Sequence, residues 1–287
     1  MNPAPPSQPH SVSPARPAPA GALLEMRQVS FGAMRDQTQP VATEVNWTVC
    51  AGEVWVVAGP QRSGKTDLLL FAAGLMPPLR GTYRCFGVEM PVTGDAPLEA
   101  FPPVALVFDG GQLFNHLSVA DNLALPLRYH ERLPADAARR RVEPLLEATG
   151  LTPWAERLPQ TLGRNWQKRA GLARALALRP QLLLLDNPLG GLDARHRAWW
   201  LTFLGALARG QTALELPPVT LIATDDSFEP WMGAATRFAL LHEGRFTVIG
   251  DRAALHACTD PLVGELRQRE LPTGACGPDT ALSERQS

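Results

Sequence analysis

The sequence predicts an α/β fold with a mainly parallel sheet, an antiparallel β subdomain and a helical insertion. Short apolar runs typical of buried strands alternate with segments of helical spacing along most of the chain, which is the pattern of a parallel sheet covered by helices. Before the first of these runs, two segments of alternating polar and apolar residues predict an antiparallel pair of strands. We expect a tail over residues 1–22, a folded domain over 23–250 and a C-terminal segment over 251–287.

The N-terminal tail is rich in proline, alanine and serine and has almost no large apolar side chain. A segment of this composition cannot bury a core, so we expect it to be disordered. Order is expected to begin near Leu23, with the two antiparallel strands over residues 23–31 and 41–50. Phe31 could stack on a bound aromatic base or belong to the core of the sheet, and the core is slightly favoured.

A glycine-containing loop joins an apolar run at residues 54–58 to a helical segment at 68–73 that stops at Gly74. The loop fits G-x-x-x-x-G-K-[ST], the pattern of phosphate-binding loops. Backbone N–H groups and the positive end of the new helix hold phosphate oxygens in such loops, the lysine reaches the outer phosphates and the hydroxyl ligates Mg²⁺. A glycine turn with a chance lysine would match the same pattern. The loop residues are Gly59, Pro60, Gln61, Arg62, Ser63, Gly64, Lys65 and Thr66.

Two side chains in this segment disfavour tight phosphate binding. Arg62 stands where many such loops have a further glycine, and a side chain there would strain a tight turn. Asp67 stands where a hydroxyl usually faces the α-phosphate, and its carboxylate would repel that group. We therefore expect nucleotide binding with reduced affinity.

The rest of the chain continues the alternation of strands and helices. Residues 91–103 are a polar, proline-rich connection, and residues 112–165 predict a mainly helical insertion with one helix at 134–149. The remaining expected elements are a short strand within 76–87, buried strands at 104–108 and 182–185, helices at 168–180 and 195–209, a strand at 219–224, a hairpin around Glu243 and Gly244, and a helix at 261–270 before a flexible tail.

Composition excludes several classes of protein. The net charge is −1, and the lysines and arginines form no basic stripe, so nucleic acid is not an expected partner. The longest apolar runs are far too short to span a bilayer, and no secretory signal is expected. The four cysteines, Cys50, Cys85, Cys258 and Cys276, have no C-x-x-C spacing and are expected to be isolated reduced thiols in a cytoplasmic protein.

A second acid for Mg²⁺ is expected at the end of a buried strand, and Asp186 in LLLLDNP has that position. The order of phosphate loop, helical insertion, arginine-bearing helix, this strand and GGLD resembles the nucleotide-binding subunit of ABC transporters over residues 23–270. LFNHLSVADNLALPLRYH, LARALALRP, DNPLGGLD and DPLVGELRQ look most like the ATP-binding subunit of Mla-type (MCE) phospholipid transporters. The resemblance implies a P-loop NTPase (RecA-like) core.

The resemblance assigns roles by position. It implies that ATP and Mg²⁺ are bound by residues 59–67, with Thr66 and Asp186 as metal ligands. Gly191, Leu192 and Asp193 resemble the D-loop, which lies across the interface of two such subunits. The signature loop LSGGQ, which closes over ATP held by the opposite subunit, becomes Leu162, Gly163, Arg164, Asn165 and Trp166.

Polar groups that the family uses in catalysis are replaced. The Q-loop glutamine is Asp109, the catalytic glutamate is Asn187, and the switch histidine is Asp225. An asparagine amide is not a base near neutral pH, and losing a general base commonly costs about 10²–10⁴-fold in rate. Asp225 would add negative charge near the γ-phosphate. We therefore expect very slow turnover, although the Arg164 guanidinium could compensate by contacting a phosphate.

Two functions remain open at this stage. The first is an ATP-binding subunit that moves an integral membrane permease, possibly for phospholipids. The second is a non-hydrolysing pseudo-ATPase that acts as a scaffold or regulator. Both imply a second ATP-binding subunit in a homo- or heterodimer, and a peripheral position on the cytoplasmic face of the cell membrane. Residues 108–127 resemble the groove for the permease, with Leu113, Phe114, Leu117, Val119, Leu123 and Leu125 as its apolar candidates, some of which belong to the core instead.

Overall fold

The computed structural model describes residues 21–90 and 103–268. The predicted tail up to residue 20, the polar connection at 91–102 and the C-terminal residues 269–287, with Cys276, lie outside this part of the chain. The ten strands in it are β1 (Ala22–Ala33), β2 (Asp36–Cys50), β3 (Val54–Ala58), β4 (Arg80–Cys85), β5 (Val88–Glu89), β6 (Val104–Val107), β7 (Leu182–Leu185), β8 (Thr220–Asp225), β9 (Arg237–His242) and β10 (Arg245–Gly250). The helices are α1 (Lys65–Ala72), α2 (Val119–His130), α3 (Ala135–Ala148), α4 (Arg164–Leu176), α5 (Ala194–Arg209), α6 (Arg252–Ala257) and α7 (Pro261–Arg267).

All ten strands belong to one mixed sheet, in the order β5-β4-β1-β2-β10-β9-β3-β8-β7-β6. From β9 to β6 the neighbours are parallel, whereas β1, β2, β4 and β5 pair antiparallel. β10 pairs antiparallel with β9 and meets β2 at Arg245 and Thr43. This confirms the predicted α/β fold with a parallel core and an antiparallel β subdomain.

Strand β3 is buried on both faces because it lies between two apolar cores. Val54, Val56 and Ala58 face the core formed with α2 to α5, while Trp55 and Val57 face the core shared with α1 and the antiparallel strands. Alternate residues of a strand point to opposite faces, so a continuous apolar run is what such a position requires. The central position of β3 places the loop that follows it in the middle of the sheet edge.

The antiparallel subdomain packs on helix α1 through stacked aromatic rings. Phe31 is fully buried and lies 5.1 Å, ring centre to ring centre, from Phe71 of α1, and Phe71 lies 5.0 Å from Tyr83 of β4. The Tyr83 hydroxyl donates to the carbonyl of Ala72 at the end of α1. Phe31 therefore belongs to the core, and stacking on a base is excluded for it.

Several element boundaries differ from those expected. Helix α4 begins at Arg164 and not at 168, because Gly163 adopts an extended conformation and serves as its N-cap. Strand β6 is the last strand of the sheet, so its first three residues are only half-buried. One C-terminal helix was expected, at 261–270, but the structure has two. Asp251 is the N-cap of the short α6, and Asp260 is the N-cap of α7. In the part of the chain that the structure describes, the helices are all too short or too polar to cross a membrane.

Candidate functional site

The candidate site is a cleft of about 890 Å³ where strands β3, β7 and β8 end. The phosphate loop forms one wall, and residues after β6, β7 and β8 form the other. The turn between β9 and β10 and Val41 of β2 border its mouth. The polar and charged side chains that line it are Gln61, Arg62, Ser63, Lys65, Thr66, Asp67, Asp109, Asp186, Asn187, Asp226, His242 and Glu243.

The loop has the backbone geometry of a tight turn. Gly64 has φ of 94°, and a Cβ atom on it would lie 2.1 Å from Cγ1 of Val41, so only glycine fits there. Arg62 has φ of 64°, in the left-handed region that costs a side-chain-bearing residue about 1–2 kcal/mol. The strain expected at Arg62 is therefore present in the backbone.

The Lys65 side chain forms hydrogen bonds with the backbone of its own loop. Its ammonium donates to the carbonyls of Gly59 at 2.6 Å and Pro60 at 2.8 Å, and it pairs with Asp226 at 2.9 Å. The side chain is only 10% exposed, whereas that of Asp226 is 45% exposed. An entering phosphate must therefore compete with Asp226 for the lysine.

Thr66 and Asp186 meet as a Mg²⁺ site would require. The Thr66 hydroxyl donates to the Asp186 carboxylate at 2.9 Å, and the Thr224 hydroxyl donates to its other oxygen at 3.0 Å. Burial raises the pKa of Asp186, and the two hydroxyls oppose that rise. Mg²⁺ commonly takes one or two protein oxygens and completes its shell with phosphate and water. These two residues fit it, although the described residues contain no group of three or more His, Cys, Asp or Glu side chains placed to hold a metal ion by themselves.

The Asp67 carboxylate borders the cleft but is partly engaged by the β1–β2 turn. One carboxylate oxygen accepts a hydrogen bond from the backbone N–H of Met34, at the β1–β2 turn, at 3.1 Å. The carboxylate borders the cleft but is partly committed to holding the hairpin against α1. Its repulsion of phosphate is therefore offset in part by that N–H group.

Asp109 lines the cleft and is held by two cations of helix α4. Arg164 lies 2.7 Å from one carboxylate oxygen and Lys168 lies 2.8 Å from the other. Burial alone would raise the pKa of Asp109, but the hydrogen bonds and charges of Lys168 and Arg164 outweigh it and lower the pKa below its usual value. Arg164 is thus bound within its own chain.

Asn187 lies in the cleft in a left-handed conformation, with φ of 44°. Its N–H donates to the Thr224 hydroxyl at 3.1 Å, and its side chain covers Gly190, where a Cβ atom would lie 2.3 Å from Nδ2. A glutamate is longer by one methylene and would reach further into the cleft. As it stands, the cleft wall offers an amide where the resemblance implies a base.

Asp225 does not line this cleft; it borders a neighbouring pocket that also touches Pro60, Gln61 and Asn187. It is 7% exposed and accepts hydrogen bonds from the Trp231 indole at 2.8 Å and from the N–H groups of Asp226 at 2.7 Å and Ser227 at 3.2 Å. Burial raises the pKa of Asp225, and these donors oppose the rise. The acid that lines the cleft and pairs with Lys65 of the phosphate loop is Asp226.

The five signature positions lie at the start of helix α4 and outside the cleft wall. Leu162 is buried, Gly163 is the N-cap, and both polar side-chain atoms of Asn165 are buried without a hydrogen-bond partner among the described residues. Trp166 packs beside Arg169, whose guanidinium lies 4.7 Å from its ring centre. Of this group only Arg164 is linked to the cleft, through Asp109.

Three residues of this region were not singled out from the sequence. Asp226 follows Asp225 directly, and two adjacent acids at the end of a buried strand could have indicated it as a second candidate. Lys168 lies one helical turn after Arg164, so the two share a face, which the i, i+4 spacing could have indicated. Trp231 gives no sequence signal for its bond to Asp225.

The sequence profile described as ABC transporter matches residues 42–190 of this chain. The spermidine/putrescine import ATP-binding protein PotA of Nitrosomonas europaea is 34% identical over 238 residues, covering 82% of this chain and 62% of the relative. A putative 2-aminoethylphosphonate import ATP-binding protein PhnT of Salmonella choleraesuis is 32% identical over 249 residues, covering 85% and 62%. The chain thus spans 62% of the length of both relatives.

Among solved structures, CbiO1 from Clostridium perfringens, described as part of the ABC transporter complex CbiONQ, superimposes with a TM-score of 0.69. It is 21% identical in sequence, and the match covers 83% of this chain and 91% of CbiO1. At this identity the likeness establishes the fold alone. The narrower resemblance to phospholipid transporters finds no support among these proteins.

Proposed function

Because this chain belongs to the ABC transporter family, we propose that it is the ATP-binding subunit of a transporter and holds Mg²⁺-ATP in the cleft. The observation that carries the proposal is the pairing of Thr66 with Asp186 at 2.9 Å, beside Lys65 in a glycine-shaped loop. These three side chains supply a phosphate ligand and two metal ligands, which is the minimum that a nucleotide with Mg²⁺ needs.

We further propose that the subunit serves an import system. Both curated relatives described above are named import ATP-binding proteins, one for spermidine and putrescine and one, as putative, for 2-aminoethylphosphonate. These names favour uptake of a small polar solute over the phospholipid cargo that the sequence resemblance indicated. Contacts with the cargo would belong to other chains of the complex.

The proposed partners are a membrane permease and a second ATP-binding subunit, with the chain on the cytoplasmic face. In the segment expected to meet the permease, Phe114 is 47% exposed. The buried amide of Asn122 fixes it by accepting from its N–H at 2.8 Å and donating to its carbonyl at 3.0 Å. Val119 and Leu123 are fully buried and belong to the core, so the permease surface would be smaller than the six apolar candidates suggest.

Turnover is proposed to be slow, and a non-hydrolysing scaffold is the second candidate function. It is favoured by Asn187, which places an amide in the cleft wall, and by the engagement of Lys65 with Asp226. The two candidates share nucleotide binding and differ in the chemical step.

Calorimetric titration of the chain with Mg²⁺-ATP tests the shared step. We expect binding by the parent, loss of binding in Lys65→Ala, and parent-like binding in Arg128→Ala, which removes one positive charge from an exposed position on α2. Absence of heat from the parent at millimolar ATP, or equal affinity in the parent and Lys65→Ala, would contradict the proposal.

Phosphate release by the complex with its permease separates the two candidates. A rate well below the roughly 1 s⁻¹ at the lower end of typical enzymes is expected for the parent. Asn187→Glu should raise it if the subunit is a slow ATPase, and should leave it at background if the subunit is a scaffold. A parent rate of about 1 s⁻¹ or more that Lys65→Ala abolishes would show that the substitutions have been misjudged.

A further inference from the structure

The chain contains only two lysines, Lys65 and Lys168, and both are buried beside the cleft. Every other member of its 27 lysines and arginines is an arginine. A lysine differs from an arginine in having a compact ammonium with three donors that diverge from one atom. Lys65 belongs to the phosphate loop, whereas the function proposed above assigns no task to Lys168.

Lys168 joins two loops that wall the cleft. Its side chain is 1% exposed, and its ammonium lies 2.8 Å from Asp109, after β6. The same ammonium donates to three carbonyls after β7, those of Asn187 at 2.8 Å, Gly190 at 2.9 Å and, more weakly, Pro188 at 3.4 Å. A single nitrogen atom therefore fixes the distance between these loops.

A planar guanidinium could not replace this arrangement atom for atom. Three carbonyls and one carboxylate oxygen surround a single nitrogen atom, which suits a compact ammonium and not a fork of five separated N–H groups. The second oxygen of Asp109 is left to Arg164, one helical turn earlier and 60% exposed. The buried contact is thus made by the lysine and the exposed one by the arginine.

Charge adds to geometry at this point. Asp109 is close enough to Asp186 for its negative charge to help raise the pKa of that metal-ligand candidate, after the larger effect of burial. The positive charge of Lys168 compensates the negative charge of Asp109. Removing the lysine would leave the cleft more negative by one charge, and neutralising Asp109 would leave it less negative by one.

We propose that Lys168 is a positioning residue of the nucleotide cleft, which sets the loops at 109–111 and 187–190 against each other and balances the charge of Asp109 beside the metal site. This inference rests on the proposed function, because it concerns the same cleft. It assigns the lysine no contact with nucleotide; the residue acts through Asp109 and the backbone of the 187–190 loop.

The first test is the Mg²⁺ dependence of ATP binding, expressed as the ratio of the Kd with EDTA to the Kd with Mg²⁺. Lys168→Met should raise the ratio, since free ATP suffers more than Mg²⁺-ATP from added negative charge. Asp109→Asn should lower it. One unit charge beside the cleft, screened as at a protein surface, implies changes of roughly tenfold. Arg164→Ala, which removes only the exposed partner, should change the ratio by less than about threefold.

A merely structural role predicts something different. Loosened loops would weaken binding of both forms, so the ratio would move in the same direction, or not at all, in Lys168→Met and Asp109→Asn. That outcome would overturn the charge component. The double variant Lys168→Met/Asp109→Asn, with no net change in charge, should return the ratio to near the parent value and covers the case in which one single variant does not fold.

The second test needs no nucleotide. Hydrogen–deuterium exchange of the full chain should become several-fold faster at both 109–111 and 187–190 in Lys168→Met, and should stay unchanged there in Arg164→Ala. Unchanged exchange at either loop in Lys168→Met would overturn the positioning role. If the parent fails to bind ATP, the proposed function fails, while this measurement still decides the inference.

Discussion

Replacing Asp226 by asparagine should tighten ATP binding. In the free protein the Asp226 carboxylate lies 2.9 Å from the Lys65 ammonium and borders the cleft that the phosphates would enter. Asparagine has the same shape but no charge, so the lysine would be free to turn to phosphate. The repulsion between the carboxylate and the anionic nucleotide would also disappear.

The size of the effect follows from the distance and the exposure of the pair. Two unit charges 2.9 Å apart attract by about 1.4 kcal/mol at the dielectric constant of water and by several times that at a low one. Because the Asp226 side chain is 45% exposed, the value for water is the appropriate one. The affinity for Mg²⁺-ATP should therefore rise about tenfold.

The assay is calorimetric titration of the parent and of Asp226→Asn with Mg²⁺-ATP at low ionic strength. Glu131→Gln is the matched control, because Glu131 has similar exposure, forms an ion pair with Arg141 and lies on the helical insertion away from the cleft. It should bind like the parent. Equal or weaker affinity in Asp226→Asn would refute the view that this acid competes with phosphate for Lys65.

Two further predictions concern stability. Arg62 has φ of 64°, so Arg62→Gly relieves backbone strain and should raise the free energy of unfolding by up to about 1 kcal/mol, after the entropy of glycine is allowed for. The control Arg128→Gly, within α2, should lower the free energy of unfolding by about 1 kcal/mol. Chemical unfolding measures both variants, and a loss of stability in Arg62→Gly would contradict the strain. Trp231→Phe leaves the buried Asp225 carboxylate without its indole donor and should cost about 1–3 kcal/mol near neutral pH. Burial already raises the pKa of Asp225, so this group favours folding less as pH rises through that pKa, and losing the donor raises the pKa further. The loss of unfolding free energy in Trp231→Phe should therefore be smaller in acid, where Asp225 is protonated, than near neutral pH. Chemical unfolding at an acid and a neutral pH measures the loss, and an equal loss at the two pH values would refute this reasoning.

The sequence was sufficient to predict the parallel core because its strands are buried on both faces. Residues 54–58 and 182–185 are continuous apolar runs, and a short run of this kind followed by a helix has few other uses. The contact between Thr66 and Asp186 was also predictable, because the carboxyl ends of parallel strands lie at one edge of the sheet.

The sequence did not reveal which acid of the Asp225–Asp226 pair faces the cleft. Adjacent residues at the end of a strand point to opposite sides, and the choice was settled by Trp231, which lies in a later turn and binds Asp225. Lys168 was missed because its partners, Asp109 and the carbonyls after Asn187, come from two other segments. The i, i+4 spacing indicates only that Arg164 and Lys168 share a face of the helix; the partners on the other segments depend on packing.

The stacking of Phe31 on Phe71 has a consequence for how the molecule loses its structure. Helix α1 carries Lys65 and Thr66 at its first turn, and its apolar face is covered by the antiparallel strands and not by the parallel core alone. Melting those strands would expose Phe71 and Leu68 to water together, at about 1.5–3 kcal/mol for each side chain. The antiparallel subdomain and the phosphate loop therefore belong to one cooperative unit. Local unfolding that spared the parallel strands would still disrupt the proposed nucleotide site.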